Sequence, residues 1–229
     1  MKNILIIGAS SGIGAATAKI LSKDCNVYGT YNNHIIESHG NCIFHQLNVL
    51  DSDLNLSFLP EQIDGLVYCP GAISLKPFAR IKAEEFQTDY QLQVLGAIKV
   101  IQTTLPKLKL SEQASIVLFS TVAVQSGFNF HSIVSSSKGA IEGLTRALSA
   151  ELAPKIRVNC IAPSITETPL AATLLNTTEK TEANVQRHPL KKIGKAEDIA
   201  HAVAFLLSEQ SSWMTGQILK IDGGISVIK

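Results

Sequence analysis

The sequence predicts an α/β fold in which a doubly wound parallel sheet of about seven strands is flanked by helices on both faces. Short apolar runs alternate along the 229 residues with amphipathic stretches, and this order of elements is typical of a parallel sheet. Most of the runs are unbroken, as expected of strands covered on both faces. The predicted strands are Ile4–Ile7, Asn26–Thr30, Cys42–Leu47, Gly65–Tyr68, Ser115–Phe119, Arg157–Ile161 and Gln217–Ile221.

Helical spacing of apolar residues occupies several of the stretches between the strands. The predicted helices are Ile13–Ser22, Glu84–Leu105, Lys138–Ala153 and Glu197–Leu207. No repeat, low-complexity tract or linker is present, so residues 1–229 are predicted to form a single domain. The least regular stretch, residues 166–189, is long for a connection and is predicted to be either a lid or a pair of short helices.

Composition excludes several classes of protein. The net charge is +1 and no run of five Lys or Arg occurs, so we expect neither nucleic acid nor a membrane as a partner. No apolar run approaches the roughly 18 residues of a membrane span, and the apolar segment after Met1 is too short for a signal peptide. The cysteines and histidines lack metal-ligand spacing, so we expect reduced thiols, no metal and a cytoplasmic location.

A glycine-rich turn follows the first predicted strand. Gly8, Gly12 and Gly14 lie between that strand and the first helix. Glycine permits a positive φ and a close approach of the backbone to a phosphate, and the first N–H groups of a helix stabilise the phosphate charge. The spacing Gly-x-x-x-Gly-x-Gly therefore predicts a site for the pyrophosphate of a dinucleotide, with a purely structural tight turn as the alternative.

Three later motifs follow the glycine-rich turn in order. Ser137-Lys138-Gly139-Ala140 opens an apolar predicted helix, Pro163 follows an apolar strand, and Asp222-Gly223-Gly224 follows the last strand. Together the four motifs resemble the short-chain dehydrogenase/reductase family, which has a Rossmann-type fold, over essentially the whole sequence. The resemblance implies a nicotinamide dinucleotide bound by Gly8, Ser10, Ser11, Gly12, Ile13, Gly14, Tyr31, Asn32, Asn33, Asn48, Val49, Cys69, Pro70, Gly71, Lys138, Pro163, Ser164, Thr166 and Thr168.

Three of these segments depart from the family's pattern. Tyr68-Cys69-Pro70-Gly71 stands where the family has Asn-Asn-Ala-Gly, so only the glycine matches. Pro163-Ser164 replaces its Pro-Gly, in the segment that the resemblance assigns to the nicotinamide carboxamide. Asn48-Val49 replaces its Asp-Val beside the adenine, and the Asn48 side chain can still bond the exocyclic amine.

The end of the second predicted strand favours NADP(H) over NAD(H). An acidic residue there would accept a hydrogen bond from the adenosine ribose 2′-hydroxyl and would repel a 2′-phosphate. Residues 29–36 contain no acid, and Glu37 is the first one. A phosphate-binding arginine is missing too, but four side chains could hydrogen-bond a phosphate: Ser11, Thr30, Asn32 and Asn33.

The family's four catalytic positions are only partly matched. In the family a Tyr donates a proton, a Ser steadies the oxyanion, a Lys lowers the Tyr pKa and holds the ribose, and an Asn completes a proton relay. Transferred onto this sequence, these positions fall on Val134, Thr121 with Ser120 beside it, Lys138 and Gln93. Valine cannot transfer a proton, so another group has to do so. The alternative for the two hydroxyls is that they only cap the strand end.

His131 is the candidate replacement for the missing Tyr. It precedes Lys138 by seven residues, the spacing at which enoyl-thioester reductases of the same superfamily place their Tyr. Two helical turns put both side chains on one face, and a histidine can donate a proton at neutral pH. Dienoyl-CoA reductases are similar, since they lack the Tyr and keep the Lys in a segment like Ser135-Ser136-Ser137-Lys138. The alternative for His131 is a capping or surface residue at the helix start.

These positions predict an oxidoreductase that transfers hydride between NADP(H) and a carbonyl or conjugated enoyl substrate. Its catalytic residues would be Lys138, Thr121, Ser120 and His131. The alternative, favoured by the missing Tyr, is an NADP(H)-binding sensor or the silent subunit of an oligomer, without turnover. Dehydration and epimerisation are further chemistries of the superfamily.

The resemblance also implies a closing segment and an assembly. In short-chain reductases the segment matching residues 166–189 closes over a small-molecule substrate, so Leu170, Leu174 and Leu175 are candidate wall residues, or else anchors of a surface loop. Family members pair their apolar helices across two-fold axes. We therefore expect a homodimer or homotetramer, the alternative being that these helices only cover the sheet.

Overall fold

The computed structural model describes residues 1–228, and its centre is a seven-stranded parallel sheet. The strand order is β3-β2-β1-β4-β5-β6-β9, so the direction of winding reverses between β1 and β4. The strands are β1 (Lys2–Ile7), β2 (Cys25–Tyr31), β3 (Cys42–Gln46), β4 (Gly65–Tyr68), β5 (Ala114–Phe119), β6 (Ile156–Pro163) and β9 (Ile218–Ile221). The predicted fold class is confirmed, and each of the seven strands lies within two residues of its predicted bounds at both ends.

Alternate residues of the strands point into two apolar cores, one on each face of the sheet. On one face Leu5 and Ile116 pack with residues of the helices Gly96–Leu108 and Ser132–Leu152. On the other face Ile4 and Val117 pack with residues of the helices Gly12–Leu21 and Ala196–Leu207. Strands buried on both faces explain why their sequences read as unbroken apolar runs.

The helices lie between the strands along the chain. They are α1 (Gly12–Leu21), α2 (Ala83–Tyr90), α3 (Gly96–Leu108), α4 (Ala123–Ser126), α5 (Ser132–Leu152), α6 (Thr178–Arg187) and α7 (Ala196–Leu207). Short 3₁₀ helices occupy Phe78–Arg80, Pro169–Leu174 and Glu209–Ser211. None of the helices within residues 1–228 combines the length and the hydropathy that crossing a bilayer requires.

Two predicted helices were wrong in detail. The helix expected from Lys138 begins six residues earlier, at Ser132. The serines of this segment are weak helix formers, but Ile133 and Val134 are buried, so tertiary packing overrides propensity. The helix expected over residues 84–105 is divided by a π-helical turn, Gln91–Leu95, between α2 and α3. Such turns are common at functional sites, and this one carries Gln93.

Residues 166–189 contain two short helices, one of the two predicted alternatives. The segment starts with β7 (Thr166–Glu167), which pairs in parallel with β8 (Gly194–Lys195). The 3₁₀ helix Pro169–Leu174 and helix α6 follow it. A Cβ atom built on Gly12 would lie 3.2 Å from Thr168 Cγ2. The segment therefore packs directly on the glycine-rich turn.

Candidate active site

The glycine-rich turn between β1 and α1 requires glycine at three positions. Gly8 and Gly12 have φ values of 78° and 52°, which side chains disfavour. A Cβ on Gly14 would lie 2.1 Å from the Gly8 carbonyl oxygen, so helix and turn touch there. Ser11 is the N-cap residue of α1, and its side chain makes no capping hydrogen bond. The first N–H groups of α1 are therefore open to a phosphate.

The end of β2 holds part of the residue set expected for the adenosine ribose. Thr30 is buried and its Oγ1 accepts a hydrogen bond from Gly8 N at 3.1 Å. Because Thr30 is only 1% exposed, its hydroxyl is out of reach of a phosphate and fixes the glycine-rich turn, which corrects its expected role as a phosphate ligand. Asn32 and Asn33 are exposed at the strand end. Asn48 uses its side chain within its own loop, where Nδ2 donates to Asp51 Oδ1 at 2.8 Å and Oδ1 accepts from Leu50 N at 3.1 Å.

A cavity of about 430 Å³ opens at the carboxyl ends of β4, β5 and β6, where open α/β sheets bind ligands. The expected site residues that line it are Ile13, Cys69, Gly71, Ser120, Thr121, His131, Lys138, Pro163, Ser164, Thr166 and Thr168, with the expected wall residues Leu170 and Leu174. The expected residues outside its lining are Gly8, Ser10, Ser11, Gly12, Gly14, Tyr31, Asn32, Asn33, Asn48, Val49 and Pro70. Leu175 lies instead in a shallow cleft along α6. All four expected catalytic side chains thus meet at one cavity.

Lys138 lies in the second turn of α5, and its side chain is buried. Burial lowers the pKa of the Lys138 ammonium to about 8, and the nearby Asp89 carboxyl partly opposes this shift. Burial also raises the pKa of the Cys69 and Cys160 thiols to about 12, so both stay neutral beside the lysine. The ammonium is therefore charged at neutral pH and readily loses its proton above pH 8.

Gln93 brings an amide oxygen to the same place. Its Nε2 donates to both carboxyl oxygens of Asp89, at 2.8 and 2.7 Å, which fixes the orientation of the amide. The buried Oε1 has no hydrogen-bond partner among residues 1–228. A Cβ built on Gly71 would lie 3.3 Å from this oxygen and 3.8 Å from Lys138 Nζ. The unpartnered Gln93 oxygen and the buried Lys138 ammonium thus both face the space beside Gly71. A ligand with hydroxyl groups could form hydrogen bonds with both.

The two hydroxyls after β5 have different environments. Ser120 is buried and its Oγ donates to Glu142 Oε1 of α5 at 2.8 Å. Thr121 is half-buried, and its Oγ1 accepts from Ala123 N at 3.3 Å. An accepting hydroxyl keeps its own hydrogen, so Thr121 can still donate to a ligand in the cavity. Thr121 is therefore the better placed of the two to contact a substrate oxygen.

His131 and Val134 line the same cavity as Lys138, at the start of α5. His131 is the N-cap residue of α5, but its side chain makes no capping hydrogen bond. Its Nδ1 lies 2.7 Å from the Asn129 carbonyl oxygen, so Nδ1 carries a hydrogen and Nε2 is left for other contacts. The Phe128 ring meets the imidazole edge to face at 5.5 Å. Val134 is 6% exposed and lines the cavity with a side chain that cannot donate a proton.

A buried serine–histidine pair also lines the cavity. His188 is 2% exposed, and its Nδ1 lies 2.6 Å from the Asn184 carbonyl oxygen. Nδ1 therefore carries the hydrogen, and Nε2 accepts from Ser164 Oγ at 2.9 Å. With its hydrogen committed to His188, Ser164 is left with lone pairs only, so towards a ligand it can act as an acceptor.

Replacing Ser164 with Ala is expected to reduce the free energy of unfolding by about 1–3 kcal/mol, because His188 Nε2 would be left buried without a donor. Denaturant unfolding measures this loss. Ser136→Ala is the matched control, since that hydroxyl is exposed and bonds only Ser132 O. Equal losses in the two variants would contradict the Ser164–His188 hydrogen bond.

The family can now be assigned. The sequence model described as "Enoyl-(Acyl carrier protein) reductase" matches residues 8–226. The chain belongs to the short-chain dehydrogenase/reductase family. This match covers the glycine-rich turn and every residue of the cavity.

Relatives of this short-chain dehydrogenase/reductase are oxidoreductases. A tropinone reductase homolog of Arabidopsis thaliana is 32% identical, over 99% of this chain and 92% of its own length. The 3-oxoacyl-[acyl-carrier-protein] reductase FabG of Thermotoga maritima is 30% identical, over 99% and 98%. The structure of ElxO with NADP bound is 28% identical, with a TM-score of 0.87 and 98% of each chain covered. The chain is accordingly an oxidoreductase of this family.

Four contributors to the short-chain reductase site were missed from the sequence. Asp89 lies one helical turn from Gln93, and Glu142 lies one helical turn from Lys138. An acidic residue at that spacing from a site residue was the sequence signal that could have identified both. Arg187 and His188 lie at the end of α6, in the irregular stretch whose path the sequence did not define. Nothing in the sequence pairs His188 with Ser164, 24 residues away.

Proposed function

We propose that this protein is a reductase that transfers hydride from NADPH to a carbonyl or conjugated enoyl carbon. The observation that carries the proposal is the buried Lys138 ammonium beside the unpartnered Gln93 Oε1, at a cavity that also contains the Thr121 hydroxyl. A buried cation and a buried acceptor cost free energy unless a ligand satisfies them. The hydroxyl groups of a nicotinamide ribose fit both, because each hydroxyl can donate and accept.

NADP(H) is the proposed cofactor in preference to NAD(H). The uncapped start of α1 and the glycines before it suit the pyrophosphate. Asn32 and Asn33 are exposed at the end of β2 with no acid beside them to repel a 2′-phosphate. ElxO, which resembles this chain over nearly its whole length, binds NADP. When bound, the reduced nicotinamide supplies the hydride.

The remaining chemistry is assigned to the chain's own residues. Lys138 Nζ donates to the ribose and adds positive charge near the reacting oxygen. Thr121 Oγ donates to the oxygen on which negative charge develops, and Ser120 keeps the strand end in place through Glu142. His131 in its protonated form, or a water held there, supplies the proton. Val134 leaves no tyrosine for this role, which makes the site atypical for the family.

A second function is favoured by Val134 itself. A protein that binds NADP(H) without turnover, as a sensor or a silent subunit, needs the Lys138 and glycine-rich contacts but no proton donor. The experiment is NADPH consumption with ketones, enones and enoyl-thioesters, run alongside a direct measurement of NADPH binding. Binding with no turnover on any class would support this second function and contradict the first.

Loss of the Thr121 hydroxyl tests the catalytic assignment. Thr121→Val is expected to lower kcat about 100-fold, because one donor to a developing oxyanion contributes that much, with little change in NADPH affinity. Thr121→Ser is the matched control and should keep most of the activity, since it keeps the hydroxyl. A valine variant as active as the wild type would remove Thr121 from the mechanism.

We also propose a homodimer or homotetramer. The outer surface of α5 carries exposed small residues, Gly143 and Ala147, beside the half-buried Leu144 and Leu148, which lets a second helix approach closely. Light scattering of the purified protein measures the mass, and a monomer at micromolar concentration would contradict this.

A further inference from the structure

The charges around the cavity are unbalanced. Among residues 1–228, the side chains that line it include the cations Lys138, Lys180 and Arg187 and neither an aspartate nor a glutamate. Lys138 has a role in the proposed function, but the two cations on α6 have none. Asp89 and Glu142 lie behind the lining, near Lys138 and Ser120. Within the described chain, the part of the cavity beside α6 has the exposed cations Lys180 and Arg187 and no carboxylate in its lining, which favours an anionic ligand there.

Arg187 is exposed at the rim of the cavity, beside Phe128. Its guanidinium lies 5.3 Å above the centre of the Phe128 ring, and the same ring contacts His131. Phe128 and His131 belong to the connection before α5, on the side of Val134 and Thr121. The glycine-rich turn, in contrast, lies against Thr168. The guanidinium is therefore next to the space for the reacting substrate and away from the turn proposed for the pyrophosphate.

The charge of Arg187 is not neutralised within the described chain. The ion pairs found in residues 1–228 are Lys2–Glu209, Lys76–Glu85 and Arg146–Glu142. Lys180 Nζ, on the same helix, donates to two uncharged acceptors, Asn176 Oδ1 at 2.8 Å and Thr173 O at 3.3 Å. The stacked guanidinium keeps its donor fork free, which suits the paired oxygens of a carboxylate or a phosphate.

Part of the remaining wall is apolar. The lining includes the apolar side chains of Ile73, Leu75, Phe128, Val134, Leu174 and Ile225. We propose that the substrate carries an anionic group, separated from its carbonyl or enoyl carbon by an apolar part, and that Arg187 binds this group with support from Lys180. The proposal deepens the proposed function and rests on it.

Kinetics with matched substrate pairs test this inference. One pair is an oxo-carboxylic acid and its methyl ester; the other is a CoA thioester, which carries phosphates, and the same acyl group on neutral N-acetylcysteamine. We expect kcat/KM to favour the charged member, and Arg187→Gln to reduce that preference at least tenfold, mainly through KM. Arg187→Lys should keep part of this preference, because lysine keeps the positive charge but lacks the paired N–H donors of the guanidinium. The pair that shows the preference identifies the anion as carboxylate or phosphate.

A binding measurement keeps this test separate from that of the proposed function. Calorimetry with NADP⁺-loaded protein compares an unreactive saturated carboxylate with its primary amide, in the wild type, in Arg187→Gln and in Lys192→Gln. Lys192 is exposed and outside the cavity lining, so its variant should bind as the wild type does. Selective carboxylate binding lost only in Arg187→Gln supports the site even if no substrate is reduced. Equal preference for charged and neutral members in kinetics and calorimetry would overturn it.

Discussion

Replacing Lys138 with Met is expected to weaken NADP(H) binding about 100-fold, the loss expected for two hydrogen bonds from a charged donor. The side chain lies in the cavity beside Gln93 Oε1, where it would meet the ribose hydroxyls. Methionine has a similar length and no charge to desolvate, so the free energy of unfolding should stay level or rise. Titration of the protein with NADPH, followed by nucleotide fluorescence, measures the affinity.

The same lysine predicts how binding depends on pH. Because burial lowers the Lys138 pKa to about 8, the free protein loses the ammonium charge as pH rises through that value. NADP(H) affinity is expected to fall up to about tenfold between pH 7 and pH 9, since each pH unit above the pKa removes nine-tenths of the remaining charged form. The Lys138→Met variant should show no such fall. A parallel fall in both proteins would assign the pH dependence to another group.

Lys192→Met is the control for the lysine substitution, because Lys192 is exposed and lies outside the cavity lining. It should bind NADPH like the wild type. Wild-type affinity in Lys138→Met, with the protein folded, would contradict the role given to the ammonium.

Gly14→Ala is expected to abolish NADP(H) binding and to reduce the free energy of unfolding by about 3 kcal/mol or more, at the upper end for overpacking. The added Cβ would lie 2.1 Å from Gly8 O and 3.2 Å from Ala9 Cα. These are backbone atoms of the turn, so α1 and the turn must separate, and the N–H groups that face the phosphate move with them. Denaturant unfolding and NADPH titration measure the two effects.

Gly139→Ala is the matched control, since it also adds a methyl group inside a helix. There the nearest atom is Val124 Cγ1 at 3.8 Å, an ordinary contact. Replacing an unstrained helical glycine should raise the free energy of unfolding by about 0.5–1 kcal/mol. If Gly14→Ala behaved like this control, the close approach of α1 to the turn would be wrong.

The sheet was predictable from the sequence because its central strands are buried on both faces. Residues Leu66 and Val67 of β4, for example, pack into opposite cores, so the run is apolar throughout. The start of α5 was not predictable in the same way. Its first turns contain Ser135, Ser136 and Ser137, and only tertiary burial of Ile133 and Val134 keeps them helical.

The site was predictable where it depends on a local motif and not where it depends on contacts between distant elements. The turn from Gly8 to Gly14 could be predicted from the glycine spacing, because the contact that excludes a side chain at position 14 is with the nearby Gly8. The hydrogen bond of Thr30 to Gly8 N was not, and Thr30 was wrongly expected at a phosphate. The stacking of Arg187 on Phe128 joins residues about 60 positions apart, which one sequence cannot show.

Transfer of deuterium from NADPH labelled at the nicotinamide C4 tests the central claim most directly. In single turnovers with each substrate class, mass spectrometry of the product counts the deuterium atoms on carbon. The account predicts one deuterium in the reduced product of at least one class with the wild type, and a much slower transfer with Lys138→Met. Full occupancy by NADPH, with no labelled product from ketones, enones or enoyl-thioesters, would contradict it.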